Sequence, residues 1–294
     1  MKTKLLFLFI AVGILSIGLW SQSTEAQEEG QGASNHFGQQ IIGGEEADVG
    51  EWPWQIALYA GSGQICGGSL IDERWVITAA HCILDFGTGE PIPADVFQVR
   101  AGVHQLSSDQ GQFINVSEIM LPPDFDTHSI LPDVALLYLT TAVSLNDNVQ
   151  IIPYATSANA ALYAPGQSGW ATGWGVYNLQ TGEGSDVLNE VELPIVADAN
   201  CDIPGIGFGQ YDICTGTADG SKTACYGDSG GPFVVPDGNN GYLLVGVTSR
   251  GPACEGYSIY AKVPTLANWI QAQLGDGPPP RTTYFVYLPT VSKN

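Results

Sequence analysis

Short runs of β-forming residues, separated by turn residues, make up most of the chain, and this pattern restricts it to an all-β fold. Gly supplies 37 of the 294 residues, which suits a chain with many turns. One helix is expected late in the chain, at 264–274, where Pro264 opens it and Gly275 stops it. The better strand candidates are Trp54–Tyr59, Ser69–Thr78, Phe97–Val103, Phe113–Met120, Val134–Leu139, Val187–Ile195, Pro232–Val235, Leu243–Thr248 and Ile259–Val263.

The first 26 residues have the pattern of a secretory signal peptide. Lys2 and Lys4 precede an apolar run, and the small-residue stretch that ends at Ala26 is a suitable cleavage site. A membrane anchor is the alternative, but the run is shorter than the roughly 20 apolar residues that a spanning helix needs. We therefore expect a secreted, extracellular protein.

Two polar or irregular stretches flank the expected folded part, 41–274. Residues 27–40 are polar and lack an apolar period, which indicates a short pro-segment. Residues 275–294 form a Pro-rich linker and a short apolar tail. The tail could be a disordered end, an extra strand or a means of holding the protein at a cell surface.

Charge and cysteine content narrow the function. The net charge of −21 argues against a nucleic-acid partner, which would need clustered Lys and Arg. The six cysteines, an even number in an exported chain, indicate three disulfides, and spacing alone does not choose among the pairings. A structural zinc site is disfavoured because no C-x-x-C pair occurs.

The strongest chemical signal is the stretch Gly227-Asp228-Ser229-Gly230-Gly231-Pro232. A nucleophilic serine needs a tight turn that exposes its hydroxyl, and glycines permit such a backbone. The same turn can direct the amides of Gly227 and Ser229 at one point, where an oxyanion would form. A Gly-rich β-turn without catalytic function is the alternative.

A serine hydroxyl needs a base, and His81 is the best of the four histidines. An apolar strand leads into it, and Cys82 follows directly. Asp133 heads an apolar run and would be costly to bury without a partner, so it is the candidate to orient the imidazole. The alternatives are a core histidine and a turn or cap aspartate.

These motifs resemble those of the chymotrypsin-like (trypsin-fold) serine proteases. The resemblance extends to Ile41-Ile42-Gly43-Gly44 as a mature N-terminus, and the order His, Asp, Ser is the chymotrypsin order. It implies two packed six-stranded antiparallel β-barrels, at roughly 51–150 and 160–263, followed by the helix. It also implies a secreted serine endopeptidase in which Ser229 attacks, His81 carries the proton and Asp133 holds the imidazolium.

Further expectations follow from the same resemblance. The implied disulfides are Cys66–Cys82, Cys201–Cys214 and Cys225–Cys254. Cleavage between Gln40 and Ile41 would free an ammonium group that pairs with Asp228, so an activating protease is an expected partner. Because Gln40 is neither Lys nor Arg, this activator is expected not to be trypsin-like.

The resemblance also predicts the substrate pocket. Thr223 and Ala224 stand at its base and carry no charge, so uncharged, apolar residues are expected before the cleaved bond rather than Lys or Arg. Gly251 would leave the entrance open, and Ser258 would shorten the pocket. Ser249 would offer backbone hydrogen bonds to the extended substrate.

Four positions depart from common patterns or carry other signals. Arg250 replaces a tryptophan usual in relatives, which suggests a preference for acidic residues upstream of the cut. Val103 and Gly111 stand where some relatives have calcium-binding acids, so we expect no metal there and no cofactor. Asn115 begins a glycosylation sequon.

Two other classes of protein share parts of this pattern. A catalytically inactive homologue acting as a binding protein would usually lack one triad residue. An α/β-hydrolase esterase would need the order Ser, Asp, His and a helix after the serine. We expect protein or peptide substrates and a monomer.

Overall fold

The computed structural model describes residues 41–178, 183–201, 203, 205–252 and 254–275, all within the unit Gly38–Asn294. The predicted signal peptide, pro-segment and tail lie outside the described residues. A two-residue strand, β1 (Glu45–Glu46), opens the described chain. The fold that follows is all-β, with one α-helix among the described residues, and so confirms the expected class.

The first barrel is a closed antiparallel sheet of six strands in the order β2-β3-β4-β7-β6-β5. Its core is made of apolar side chains from alternate strand positions, such as Ile56, Leu58 and Leu136, all with no exposed area. Each such burial contributes about 1.5–3 kcal/mol. The strands are β2 (Gln55–Ala60), β3 (Gly63–Asp72), β4 (Trp75–Thr78), β5 (Phe97–Ala101), β6 (Gln112–Met120) and β7 (Ala135–Leu139).

The second barrel closes because β11 pairs with both β12 and β8, giving the cyclic order β8-β11-β12-β15-β14-β13. Strand β1 adds to β11, and β9 and β10 form a separate hairpin. The strands are β8 (Ser168–Gly173), β9 (Val176–Asn178), β10 (Glu183–Gly184), β11 (Asn189–Val196), β12 (Asp212–Thr215), β13 (Pro232–Pro236), β14 (Tyr242–Arg250) and β15 (Ser258–Lys262).

The N-terminal segment belongs to the second barrel, although it precedes the first barrel in sequence. Ile41 is fully buried in the same apolar cluster as Phe233 and Tyr260. Gly44 lies so close to β11 that a Cβ there would be 2.1 Å from the carbonyl oxygen of Glu190. The site of expected cleavage is therefore next to the core that carries the serine motif.

Several strand predictions need correction. The expected strand Ser69–Thr78 is two strands, because the chain turns after Asp72 and the Asp72 carboxylate accepts the amide of Arg74 at 3.3 Å. Strand β8 was not predicted, since its two glycines weaken β propensity. Here tertiary packing decides: a Cβ at Gly169 would be 2.5 Å from the carbonyl oxygen of Val234. The short, polar-headed strand β12 was also not predicted.

The C-terminal helix is displaced from its expected position. Val263–Thr265 form a 3-10 turn, and the α-helix α1 (Ala267–Gly275) follows. Proline at the start of the turn removes one amide donor, and Leu266 then closes the turn through its amide to the carbonyl of Val263, at 2.9 Å.

Candidate active site

The first barrel presents the histidine on a short, cross-linked turn. Strand β4 ends at Thr78, and the 3-10 turn Ala80–Ile83 follows directly and carries His81. Cys82 forms a disulfide with Cys66 on the neighbouring strand β3. The imidazole is partly exposed, while its backbone is held by a strand on one side and a covalent bond on the other.

Asp133 is 3% exposed and bonds to His81 through both carboxylate oxygens. Its Oδ2 lies 2.8 Å from Nδ1 of the imidazole, and its Oδ1 accepts the backbone amide of His81 at 2.9 Å. Ser249 donates its hydroxyl to Oδ2 at 2.6 Å. Burial alone would raise the pKa of Asp133, but the hydrogen bonds and charge of His81 and the Ser249 hydroxyl outweigh it, and the pKa lies below its ordinary value.

The serine motif forms a tight turn in the second barrel. Gly227 and Gly230 have φ of 93° and 78°, a region that side chains rarely adopt. The amide of Gly231 closes the turn on the carbonyl of Asp228, at 2.9 Å. Neither Gly227 nor Ser229 donates its amide to another residue that the structure describes, so both N–H groups are available.

The serine turn packs against the strands that lead to the histidine. The amide of Gly67 on β3 donates to the carbonyl of Ser229 at 2.8 Å. A Cβ at Gly230 would be 2.2 Å from Oγ1 of Thr78, the last residue of β4. This close approach, which only glycine allows, brings Ser229 of the second barrel to the part of the first barrel that carries His81.

Asp228 is buried beside Ser229 with no cation among the described residues. Its carboxylate accepts the amides of Gly175, at 2.9 Å, and Cys225, at 2.8 Å. Burial outweighs these two bonds and raises the pKa of Asp228 to about 6. In the uncut chain, where the nitrogen of Ile41 is an amide, no cation of the described residues compensates the Asp228 carboxylate.

The five residues predicted to form the substrate pocket differ in their burial and in their contacts. Thr223 and Ser258 are buried, with their hydroxyl oxygens 2.6 Å apart, and the Ser258 hydroxyl accepts the amide of Ala224 at 3.2 Å. Gly251 is exposed. Ser249 was expected to act through its backbone, whereas its side chain reaches the carboxylate of Asp133. The sequence carries no signal for that contact, because it joins the two barrels.

Arg250 does not present a free charge. Its Nη2 lies 2.7 Å from Oδ2 of Asp212, which is 3% exposed, and it also donates to the carbonyl of Gly207 at 2.9 Å. This pairing removes much of the basis for expecting an acidic preference upstream of the cut. Asp212 was not singled out from the sequence, where it is one of many acidic residues.

The cysteines form the three pairs that the resemblance implied: Cys66–Cys82, Cys201–Cys214 and Cys225–Cys254. Two of these sulfurs lie near the imidazole of His81, but disulfide sulfurs are not the thiolates that bind metals.

Two surface predictions fall on the first barrel. Near Val103 and Gly111, the guanidinium of Arg100 bonds to the carbonyl oxygens of Leu106, Ser108 and Gln110 at 2.7–2.8 Å. Asn115, the expected glycosylation acceptor, is exposed on β6.

Comparison with known proteins agrees with this arrangement. The family model described as Trypsin matches residues 41–270. The chain is 37% identical over 257 residues to the proclotting enzyme of Tachypleus tridentatus, covering 81% of this chain and 67% of that protein. It is 34% identical to coagulation factor IX of Cavia porcellus, over 78% of this chain and 80% of that one. It is also 34% identical to transmembrane protease serine 5 of Homo sapiens, of which it spans 50%.

The chain belongs to the trypsin family of serine proteases. It is a chymotrypsin-like serine endopeptidase, a class that acts on protein substrates. None of the helices in the described part of the chain has the length and apolar character needed to cross a bilayer.

Proposed function

We propose that this endopeptidase is secreted as a zymogen and cleaves peptide bonds with Ser229, His81 and Asp133. The observation that carries the proposal is the buried carboxylate of Asp133, which bonds to both the ring and the backbone of His81. The serine turn packs against β3 and against the end of β4, the strand that leads to His81. A structural ion pair would not require a partly exposed imidazole next to a serine with free neighbouring amides.

In this mechanism Ser229 attacks the substrate carbonyl while His81 takes the hydroxyl proton. The bonds from Asp133 to Nδ1 and the backbone amide favour the tautomer in which Nε2 can accept it. The amides of Gly227 and Ser229 stabilise the oxyanion. His81 then gives the proton to the leaving amine, and water hydrolyses the acyl-enzyme by the reverse proton path.

Activation would follow from cleavage between Gln40 and Ile41. The new ammonium group would pair with Asp228 and so compensate a buried carboxylate whose pKa is raised to about 6. Ile41 already lies in the second core and its segment packs on β11, which supports a short movement rather than a refolding of the segment. The residue before the cut, Gln40, favours an activator that is not trypsin-like.

The substrate preference that fits the pocket is an uncharged, apolar residue before the cut. The Thr223 hydroxyl is hydrogen-bonded to Ser258, and Ala224 is apolar. The bottom of the pocket therefore offers no carboxylate to a Lys or Arg side chain. A panel of peptides that differ only at this position would test the proposal. Fastest cleavage after arginine would contradict it.

Secretion and a monomeric state complete the proposal. The predicted signal peptide and the three disulfides suit an oxidising extracellular compartment. The catalytic groups all come from one chain, which supports action as a monomer. Surface attachment through residues 281–294 is tested by deleting them: an unchanged amount of released protein would exclude it.

The decisive experiment is labelling of the cleaved protein with a fluorophosphonate, with the labelled peptide identified by mass spectrometry. We expect the label on Ser229, its loss in His81→Ala and its retention in His128→Ala, because the His128 side chain is 87% exposed and its ring pairs with the carboxylate of Asp126. Failure to label with Ile41 confirmed as the N-terminus would favour an inactive homologue that binds a partner.

A further inference from the structure

One loop of the first barrel is joined to the partly exposed segment that leads into β11 of the second barrel. The loop comprises residues 104–108, and its partner is the segment of residues 185–188. The carboxylate of Asp186 accepts three bonds from the loop: the amide of Ser107 at 2.7 Å, the hydroxyl of Ser107 at 2.7 Å and the side-chain amide of Gln105 at 2.8 Å. These bonds hold the pKa of Asp186 below its ordinary value.

Backbone bonds strengthen the same junction. The amide of Leu106 donates to the carbonyl of Asp186 at 2.7 Å, and the amide of Leu188 donates to the carbonyl of His104 at 2.9 Å. The indole of Trp174 donates to that same carbonyl at 2.9 Å. We call these contacts the loop–segment bracket.

The loop itself is stiffened from inside. Arg100 is 2% exposed, and its guanidinium bonds to the carbonyl oxygens of Leu106, Ser108 and Gln110 at 2.7–2.8 Å. A buried cation held by several carbonyls is expensive to release, because its donors would lose their partners. The bracket is therefore anchored to a rigid part of the first barrel.

On the side of the second barrel, contacts continue from residues 185–188 through Gly175 to the serine turn. The amide of Ser185 donates to the carbonyl of Trp174 at 3.1 Å, which fixes the chain at Gly175. Gly175 gives its amide to Asp228 at 2.9 Å. A Cβ at Gly227 would also lie only 3.0 Å from the Cα of Gly175, so the two glycines are in close contact.

We propose that Asp186 is a positioning residue, which uses the loop–segment bracket to hold Gly175 in the conformation that seats the Ile41 ammonium on Asp228. The inference rests on the proposed activation by cleavage before Ile41. Asp186 touches no reacting atom. Its loss would weaken seating of the new N-terminus while leaving the His81–Asp133 pair intact.

The pH profile of kcat/KM in the cleaved enzyme separates this role from a general one in stability. Seating requires the ammonium, so activity falls at alkaline pH as the amine loses its proton. Burial raises the pKa of Tyr260, the other titratable group beside Asp228, above its ordinary value, so the alkaline limb reports on the amine. In Asp186→Ala we expect the Ile41 ammonium to seat on Asp228 about tenfold more weakly. The apparent pKa of the alkaline limb should therefore fall by about one pH unit. The acid limb should not move.

Three further variants complete the test. Asp237→Ala is the matched control, because Asp237 also caps backbone amides, at 2.6 and 2.9 Å, in the turn between β13 and β14. Asp186→Asn keeps one acceptor oxygen and should shift the limb less than Asp186→Ala. Ser107→Ala combined with Asp186→Ala should shift it no further than Asp186→Ala alone, since both act through one contact.

An alkaline limb that stays in place in Asp186→Ala, or moves equally in Asp237→Ala, would overturn the inference. A measurement on the parent enzyme distinguishes this outcome from a failure of the activation proposal. Selective blocking of the Ile41 amine should abolish parent activity. If blocking has no effect, the activation switch itself is wrong; if blocking inactivates but Asp186→Ala leaves the limb unchanged, only the bracket is wrong.

Discussion

Asp133 of the first barrel and Asp228 of the second are equally buried, at 3% and 2% exposed, yet their pKa values move in opposite directions. The pKa of Asp133 is lowered because His81 and Ser249 donate to a carboxylate that burial would otherwise neutralise. The pKa of Asp228 is raised to about 6 because two backbone amides do not offset burial. Burial alone therefore does not set the direction in which the pKa of a buried carboxyl moves; the available partners do.

The comparison extends to how each barrel prepares its part of the site. The first barrel contains every partner of its aspartate except Ser249, so His81 and the carboxylate that it contacts are brought together on folding. Under the proposed activation, the aspartate of the second barrel would gain a cation only after cleavage before Ile41. On this proposal, the first barrel's part of the site forms on folding and the second barrel's part is completed by cleavage, as in a zymogen.

The largest expected effect follows from replacing the carboxylate of Asp133. In Asp133→Asn the imidazole would be held in the wrong tautomer, and kcat should fall by about 10⁴. Steady-state kinetics on a preferred peptide would measure it, with Asp126→Asn as control, since Asp126 is an exposed aspartate that also accepts two local bonds at 2.9 Å. An equal loss in both variants would remove the special role of Asp133.

The second effect concerns Asp228. In Asp228→Asn the Ile41 ammonium would lose its partner, and kcat/KM of the cleaved enzyme should fall on the order of 10²–10³-fold. The uncut chain should instead gain up to about 3 kcal/mol at pH 7, because it no longer buries an uncompensated carboxylate. Denaturant unfolding of the two forms would show these opposite signs, and a destabilised uncut variant would contradict the argument.

The pH dependence of stability should separate the two aspartates in the wild-type protein. A carboxyl whose pKa is raised by folding binds more protons when folded, so its contribution to stability is present below pH 4 and lost between about pH 4 and about 6. The uncut chain should therefore lose stability in this window relative to the cleaved chain, where the ammonium is present. Parallel Tm curves for both forms would contradict the prediction.

The smallest effect concerns Asp212, a third buried aspartate, whose partner Arg250 lies in its own barrel. The parent enzyme should show little preference for acidic residues upstream of the cut, since the guanidinium is already paired. Asp212→Asn would free that charge and raise the preference about fivefold, the size of a partly exposed ion pair. Competition between peptides with Glu and Gln upstream would measure the change; an acidic preference already strong in the parent would contradict it.

Several features of the fold could not be read from local sequence. The Ser-Gly-Trp-Ala-Thr-Gly stretch of β8 has weak β propensity, and its glycines are needed because Val234 and Asp228 occupy the space of a side chain. The turn after Asp72 splits a run that appears continuous. Propensity describes a residue and its neighbours, whereas close approaches between strands depend on the rest of the barrel.

The sequence by itself determined the class of protein, the all-β fold and the identity of the candidate catalytic residues. Those conclusions depend on residue types in fixed local patterns, which survive in a single chain without coordinates. The tertiary structure alone joined Ser249 to Asp133, Arg250 to Asp212 and Asp186 to Ser107. Each of these contacts links residues 38 to 116 positions apart. The first two contacts depend on burial and hydrogen-bond geometry, and the exposed contact of Asp186 with Ser107 depends on hydrogen-bond geometry alone; all three exist only once the barrels have closed.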